Sequence, residues 1–399
     1  MHYLKLNLII GIITLVVNIL CHDAFGYGLT YTPHISIESD YNDNIFFSEK
    51  KTVNDLVSVV NGGTDIDLST ERDDLTLIDN LSNISYLKNH ELDENDFSVR
   101  ANESHMLLER ASIITNAGYI KDSNPDRDLE STGFIYSNGI RKTTNFSMKG
   151  AFSLTELLST DLTGSYMSQK FNSNQFVDSM SQNFDMGYSY DAGSIVHDTT
   201  LRLDLLYEQD RYHDSPLHED EIFECFAGAS HQITELLNLS FNLGTNRTIS
   251  SYSIPILWIK LNEKYRSQGI IGQLSLEYKT EYLDSTLGLS RNTDSVSGES
   301  YLTERTMATL DTSLTISRTI KAYLSAQYII NKELVNKASQ GNINQWTINL
   351  LPGFRIELSD DLFLSLSYIF SQVRDESNSI DYRRNLSTLN IEYRHSFFN

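Results

Sequence analysis

Leu358-Ser-Asp-Asp-Leu-Phe-Leu-Ser-Leu-Ser-Tyr-Ile-Phe-Ser371 displays the organisation of the whole chain. A short polar break leads into a run in which Leu362, Leu364, Leu366, Tyr368 and Phe370 alternate with Phe363, Ser365, Ser367, Ile369 and Ser371. Strict alternation marks a strand with one oily and one wet face. The break, Leu358-Ser-Asp-Asp-Leu362, has the form apolar, Ser or Thr, charged, any residue, apolar. The same form recurs at Leu154-Thr-Glu-Leu-Leu158, Ile233-Thr-Glu-Leu-Leu237 and Ile316-Ser-Arg-Thr-Ile320. Each break lies between two alternating runs, which is the signature of a hairpin turn.

Other strands follow the same rule. Phe146, Met148, Gly150, Phe152 and Leu154 alternate with polar or small residues, as do Leu237, Leu239, Phe241 and Leu243. The orientation of the apolar face decides the class. In a soluble sandwich it would point to a core, whereas in a transmembrane barrel it meets lipid and the polar face lines the lumen. Three features favour the barrel. The runs are about ten residues long, suited to a tilted membrane strand. Aromatics sit toward the ends of the apolar rows, at Tyr166, Tyr188, Tyr190, Tyr207, Tyr278, Tyr368 and Phe370, where an interfacial girdle would lie. Short breaks also alternate with longer polar connections, expected at 209–220, 292–300, 331–342 and 375–382.

Turns near residues 156, 235, 318 and 360, with weaker ones at 191–194, 280–283, 69–74 and 102–105, make eight short connections. With both termini on the same rim, these imply an all-β, transmembrane, antiparallel up-and-down β-barrel of about 18 strands. Because 31–140 alternates poorly, 14 or 16 strands also fit.

The N-terminus reads as a secretory leader spanning 1–26, followed by the barrel over 27–399. Lys5 precedes the apolar run of Leu8 to Leu20, and Ala24-Phe-Gly26 supplies the small residues of a cleavage site. The run is too short for a spanning helix, and Asn18-Ile-Leu20 lacks the small residues expected before a lipidated Cys21. The mature chain then retains one cysteine, Cys225, which allows no intrachain disulfide. Its neighbours Phe223, Phe226 and Ala227 suggest a packed thiol. A net charge of -22 argues against nucleic acid as a partner. The acid is concentrated: residues 38–130 hold 21 Asp or Glu against 8 Lys or Arg, more than half of the imbalance.

Tyr31-Thr-Pro-His-Ile-Ser-Ile-Glu-Ser-Asp-Tyr-Asn-Asp-Asn-Ile-Phe46 resembles the opening strand of the β-barrel porin 2 family, whose relatives occur with exosortase and exopolysaccharide systems. The resemblance implies a Gram-negative outer-membrane barrel of unassigned substrate. The C-terminus adds support: Leu389, Ile391, Tyr393, His395 and Phe397 share one face, and an aromatic pair followed by Asn399 is a close but imperfect match to the terminal aromatic that the barrel assembly machinery reads.

Candidate chemistry is sparse. Asp40, Asn42, Asp43 and Asn44 could offer oxygen ligands, but no EF-hand spacing follows them, and an Asn/Asp-rich turn leaving the first strand is the favoured reading. His213 and His218 flank Pro216 in what reads as a solvated loop. No nucleophile elbow, phosphate loop or Cys/His cluster is present, so the chain reads as a non-enzyme without a cofactor. On the alternation register, Asp161, Asp185, Arg202, Asp204, Glu208, Glu277, Lys279, Glu392 and Arg394 point inward. Carboxylates lining a water-filled passage attract cations. The function expected from this is a porin-like channel for small polar solutes with mild cation preference. The alternatives are a docking barrel for surface polysaccharide and a soluble secreted β-protein. Expected partners are outer-membrane lipid and lipopolysaccharide, the assembly machinery and surface polysaccharide.

Overall fold

The computed structural model describes residues 28–124, 127–133, 139–173, 175–213, 217–256, 259–296, 299, 302–334 and 343–397. The leader expected over 1–26, and Phe398, lie outside them. The strands are β1 (Gly28–Asn42), β2 (Asp55–Ser69), β3 (Asp73–Tyr86), β4 (Glu94–Leu108), β5 (Ala111–Asp122) and β6 (Arg141–Ser153). They continue as β7 (Leu158–Phe171), β8 (Ser179–Asp191), β9 (Thr199–Tyr212), β10 (Leu217–Thr234), β11 (Leu237–Ile256) and β12 (Ile259–Lys279). The last six are β13 (Leu283–Ser295), β14 (Leu302–Thr315), β15 (Ile320–Glu333), β16 (Asn344–Ser359), β17 (Leu362–Asp375) and β18 (Ile380–Arg394). Each strand pairs antiparallel with its sequence neighbours, and β1 pairs with β18 from His34↔Arg394 to Asn42↔Leu386. The result is a closed 18-stranded antiparallel barrel.

The recurring break has a local physical cause. Thr155 Oγ1 accepts the Leu158 N–H at 2.9 Å, Thr234 Oγ1 that of Leu236 at 3.2 Å and Ser317 Oγ that of Thr319 at 3.3 Å. The hydroxyl replaces a backbone acceptor within a tight turn. Thr70 and Thr280 do the same at two turns whose sequences fit the break less well, accepting from Asp73 and Leu283 at 2.8 and 2.9 Å.

Three expectations need correction. The turn placed at 102–105 lies beyond Leu108, because Asn102 to His105 is paired strand, opposite Asp73 to Thr76 on one side and Ile113 to Asn116 on the other. The long polar connections are shorter than expected. Pairing carries β9 to Tyr212 and β10 back to His218, and β17 and β18 meet at Asp375↔Ile380. Polar side chains there mark the end of the oily belt, not the end of the ladder, since backbone groups gain by pairing at any depth. Finally, Cys225 is exposed on the outer face beside Phe223, while Phe226 turns inward. Neighbours in a strand face opposite ways, so flanking residues say nothing about packing.

The outer face is an apolar belt. On β9, Leu201, Leu203 and Leu205 are 46%, 40% and 42% exposed, and Arg202 and Asp204 between them turn inward. Phe241, Leu243, Leu274, Leu287 and Leu289 continue the belt on β11–β13. Ring pairs such as Tyr207–Phe223, 4.8 Å between centroids, and Tyr328–Trp346, 6.4 Å, stand toward the long-connection end. Tyr188, Tyr190 and Tyr278 occupy the strand ends at the short-turn rim.

A charge on this belt is expected to be costly. Leu203→Arg should lose about 2–4 kcal/mol of folding stability in lipid and reduce the heat-modifiable fraction on an unboiled gel. Ser165→Lys, on the lumen side, should leave that fraction unchanged.

Candidate functional site

The described part of the connection after β5, residues 127–133, does not stay outside the barrel. Its short helix α1 (Leu129–Thr132) ends at Gly133, with φ 75°, and crosses the lumen to the opposite wall. There Asn331 Nδ2 donates to the Thr132 carbonyl at 2.6 Å, and Thr347 Oγ1 to that of Gly133 at 2.9 Å. Asn349 Nδ2 donates to the Leu129 carbonyl at 3.2 Å. Leu129, 1% exposed, packs with Phe47, Val373 and Tyr382. At the near wall Arg141 donates to both Asp128 carboxylate oxygens, at 2.8 and 3.0 Å. The loop is therefore anchored at both walls and divides the outer half of the lumen. A Cβ at Gly133 would sit 2.9 Å from Thr347 Oγ1, so the position demands glycine both for its left-handed backbone and for this close approach.

On one side of the loop is a cavity of about 470 Å³. Alternation builds its wall. One row of the sheet register runs Glu38, Val59, Ile84, Glu94, two carboxylates separated by an apolar floor. The row nearer the rim holds Asp40, Val57 and Tyr86, and the row below it Ser36, Asn61, Ser82 and Asp96. Asp122 and Glu91 complete a set of six carboxylates, and Asn124, Gly139, Ile140 and Asn172 close the loop side. Lys121 pairs with Glu94 at 3.0 Å, Arg141 lies 3.7 Å from Asp122, and Arg384 lies beside Asp40. Asp96 fixes the start of the loop by accepting the Ser123 N–H and hydroxyl, each at 3.0 Å. Acid outnumbers base around this cavity.

The nine residues expected to line the lumen are distributed elsewhere. All nine lie on the register opposite the apolar belt, and only the β7–β9 group is brought together. Arg202 bridges Asp161 at 3.0 Å and Asp204 at 2.7 Å, and Lys149 reaches Asp161 at 3.4 Å. Asp185 adjoins the same group, with Glu208 one step toward the rim. Glu277 stands apart, Lys279 pairs with Asp284, Glu392 with Arg355, and Arg394 with Asp65. On the β7–β9 wall Arg202 and Lys149 offset two of the four carboxylates. The six cavity carboxylates were absent from the expected set, although the acid excess over 38–130 and the alternation of Glu38, Asp40 and Asn42 were signals for them.

Of the Asn/Asp cluster, Asn42, Asp43 and Asn44 at the end of β1 are turn chemistry, whereas Asp40 lies within β1 and faces the cavity. Asn42 Oδ1 accepts the Asn44 N–H at 2.9 Å, Asp43 Oδ1 that of Asn385 at 2.7 Å, and Asn44 Nδ2 donates to the Arg383 carbonyl at 2.8 Å. His218 is a correction. It is 3% exposed and stacked between Tyr212 and Tyr252, not solvated, because β10 begins before it. His213 is exposed as expected. Among the described residues no group of three or more His, Cys, Asp or Glu side chains converges as a metal-ligand set.

No family model and no curated protein sequence matches this chain. Solved structures do. The ferric citrate transporter FecA in its unliganded form aligns with a TM-score of 0.53 and 10% identity, over 87% of this chain and 60% of FecA, so this chain spans about 60% of FecA's length. OccK2 (OpdF) of Pseudomonas aeruginosa aligns at 0.49 and 10% identity, over 93% of this chain and 98% of that one. OpdK of the same organism aligns at 0.47 and 11%, over 92% and 99%. At these identities the likeness is one of fold.

Gly133→Val is expected to cost about 1–3 kcal/mol locally through backbone strain and to free the loop from the far wall. Limited proteolysis of the folded barrel should then cut within 123–140 faster than in the parent.

Proposed function

We propose that this protein is a channel of the Gram-negative outer membrane that passes small polar solutes and prefers cations. The belt supports the location: so wide an apolar surface suits lipid and would be a liability in water. In this reading the leader 1–26 directs export, the assembly machinery inserts the barrel, and lipid and lipopolysaccharide surround it. The fold likeness to the transporter FecA supports transport as a class. An acid-rich cavity is poorly matched to a citrate complex, which carries negative charge.

The observation that carries the cation preference is the cavity of Glu38, Asp40, Glu91, Glu94, Asp96 and Asp122 beside the loop that narrows the lumen. Charges confined between low-dielectric walls concentrate counter-ions at the passage. On the β7–β9 wall Arg202 and Lys149 offset only part of the charge of Asp161, Asp185, Asp204 and Glu208, so that wall adds to the negative field of the cavity.

Purified barrel in planar bilayers under a salt gradient should give a reversal potential of cationic sign. A passing cation gains about 1 kcal/mol per nearby carboxylate in water-like surroundings. Glu38→Gln with Asp96→Asn should therefore lower the preference at least about fivefold. Closed or anion-selective barrels would refute the reading. Gene deletion that alters surface polysaccharide but not solute uptake would instead favour a docking barrel.

A further inference from the structure

On the far side of the inward loop the lumen wall is tightly packed, and it contains a feature that cation selectivity does not use. The β9–β10 pairing sets Asp210 directly opposite Asp220. Both side chains turn inward, and the residues are 2% and 0% exposed. Their row continues to Ser181 on β8 and Ser250 on β11. The next row toward the rim holds Tyr212, His218 and Tyr252, and the next row down Glu208, Ile222 and Thr248. The end of β13 lies over this patch, bringing Ser295 beside Asp210. Asn246 and Thr293 are hydrogen-bonded below it.

The patch is short of partners. His218 Nε2 donates to Asp220 Oδ1 at 2.9 Å. Asp220 Oδ2 and Thr248 Oγ1 have no hydrogen-bond partner. Asp210 Oδ2 and the Tyr212 hydroxyl have none of good geometry, although Ser181 and Ser295 lie beside Asp210 and Ser295 beside Tyr212. Each of the four belongs to a residue no more than 2% exposed. Among the described residues no Lys or Arg pairs with either aspartate. Arg305, the nearby guanidinium, pairs with Asp294 at 3.1 Å. Glu208 adds a further carboxylate beside Asp210. Facing carboxylates buried without a counter-charge are costly, because desolvation and mutual repulsion act together.

We infer that Asp210 and Asp220 hold a hard divalent cation of the calcium type between β9, β10 and the folded-over end of β13. Two carboxylates match its charge. The hydroxyl oxygens of Tyr212 and Thr248 supply the neutral oxygen donors that such an ion accepts. The ion pins the β13 end against the β9–β10 wall, keeping that half of the lumen filled.

Barrel refolded in detergent without lipopolysaccharide and stripped of metal provides the test, with terbium(III) as a luminescent probe and calcium as competitor. Tyr212 and Tyr252 should sensitise terbium emission that calcium displaces, and calcium should raise the melting temperature. Asp210→Asn with Asp220→Asn should weaken binding at least tenfold and abolish the melting shift, while Glu281→Gln with Asp360→Asn in two exposed short turns leaves both intact. Should the first pair fail to give a heat-modifiable barrel, Tyr212→Phe and Thr248→Val each preserve shape and should weaken calcium binding severalfold. Absence of sensitised emission in the parent, or parental affinity in these variants, overturns the assignment and leaves protons as the charge on the pair.

Discussion

The hydrogen-bonded seam between β1 and β18 is the constraint on which everything else rests. Lipid offers no partner for a backbone N–H or carbonyl, so a sheet can stand in it only without edges. The first and last strands must therefore meet in register, His34 against Arg394 through Asn42 against Leu386. The Tyr31–Phe397 backbone pair extends the seam toward the short-turn rim, their carbonyls and N–H groups exchanged at 2.8 and 3.1 Å. Closure sets the circumference. It also fixes which side chains share a row, and so which charges meet inside.

Inside, the barrel is asymmetric. A loop anchored by Arg141 on one wall and by Asn331, Thr347 and Asn349 on the other leaves an acid-lined cavity against β1–β5 and a packed polar interior against β8–β11. Both sides carry more carboxylates than cations. On β7–β9, Arg202 and Lys149 offset part of the charge of Asp161, Asp185, Asp204 and Glu208, and across the loop Glu38, Asp40 and Asp96 face an open cavity. A selective passage needs such an imbalance, because paired charges cancel their field over a short distance.

Much of the fold was legible in the chain. The Ser/Thr breaks located turns because their hydroxyls cap tight bends, and the period-two pattern from Phe146 onward predicted faces that the exposed Leu201, Leu203 and Leu205 match. The β1–β5 region was harder to read, since its wall is polar inside and its outer face carries Ser58, Thr64 and Thr115 among the apolar residues. The lumen was the least legible. Alternation shows that Glu277 and Arg202 point inward, but not that one stands apart while the other bridges two aspartates.

Sequence by itself determined the class: all-β, alternating, about 18 strands and acid-rich toward the N-terminus. Those features follow from local rules, namely side-chain period, turn chemistry and composition. Tertiary structure alone decided that 127–133 enters the lumen, that Glu38 and Glu94 share a row across four strands, and that Asp210 lies against Asp220. Each of these depends on register and closure, which bring together residues far apart in the chain, and no local pattern encodes which rows will align.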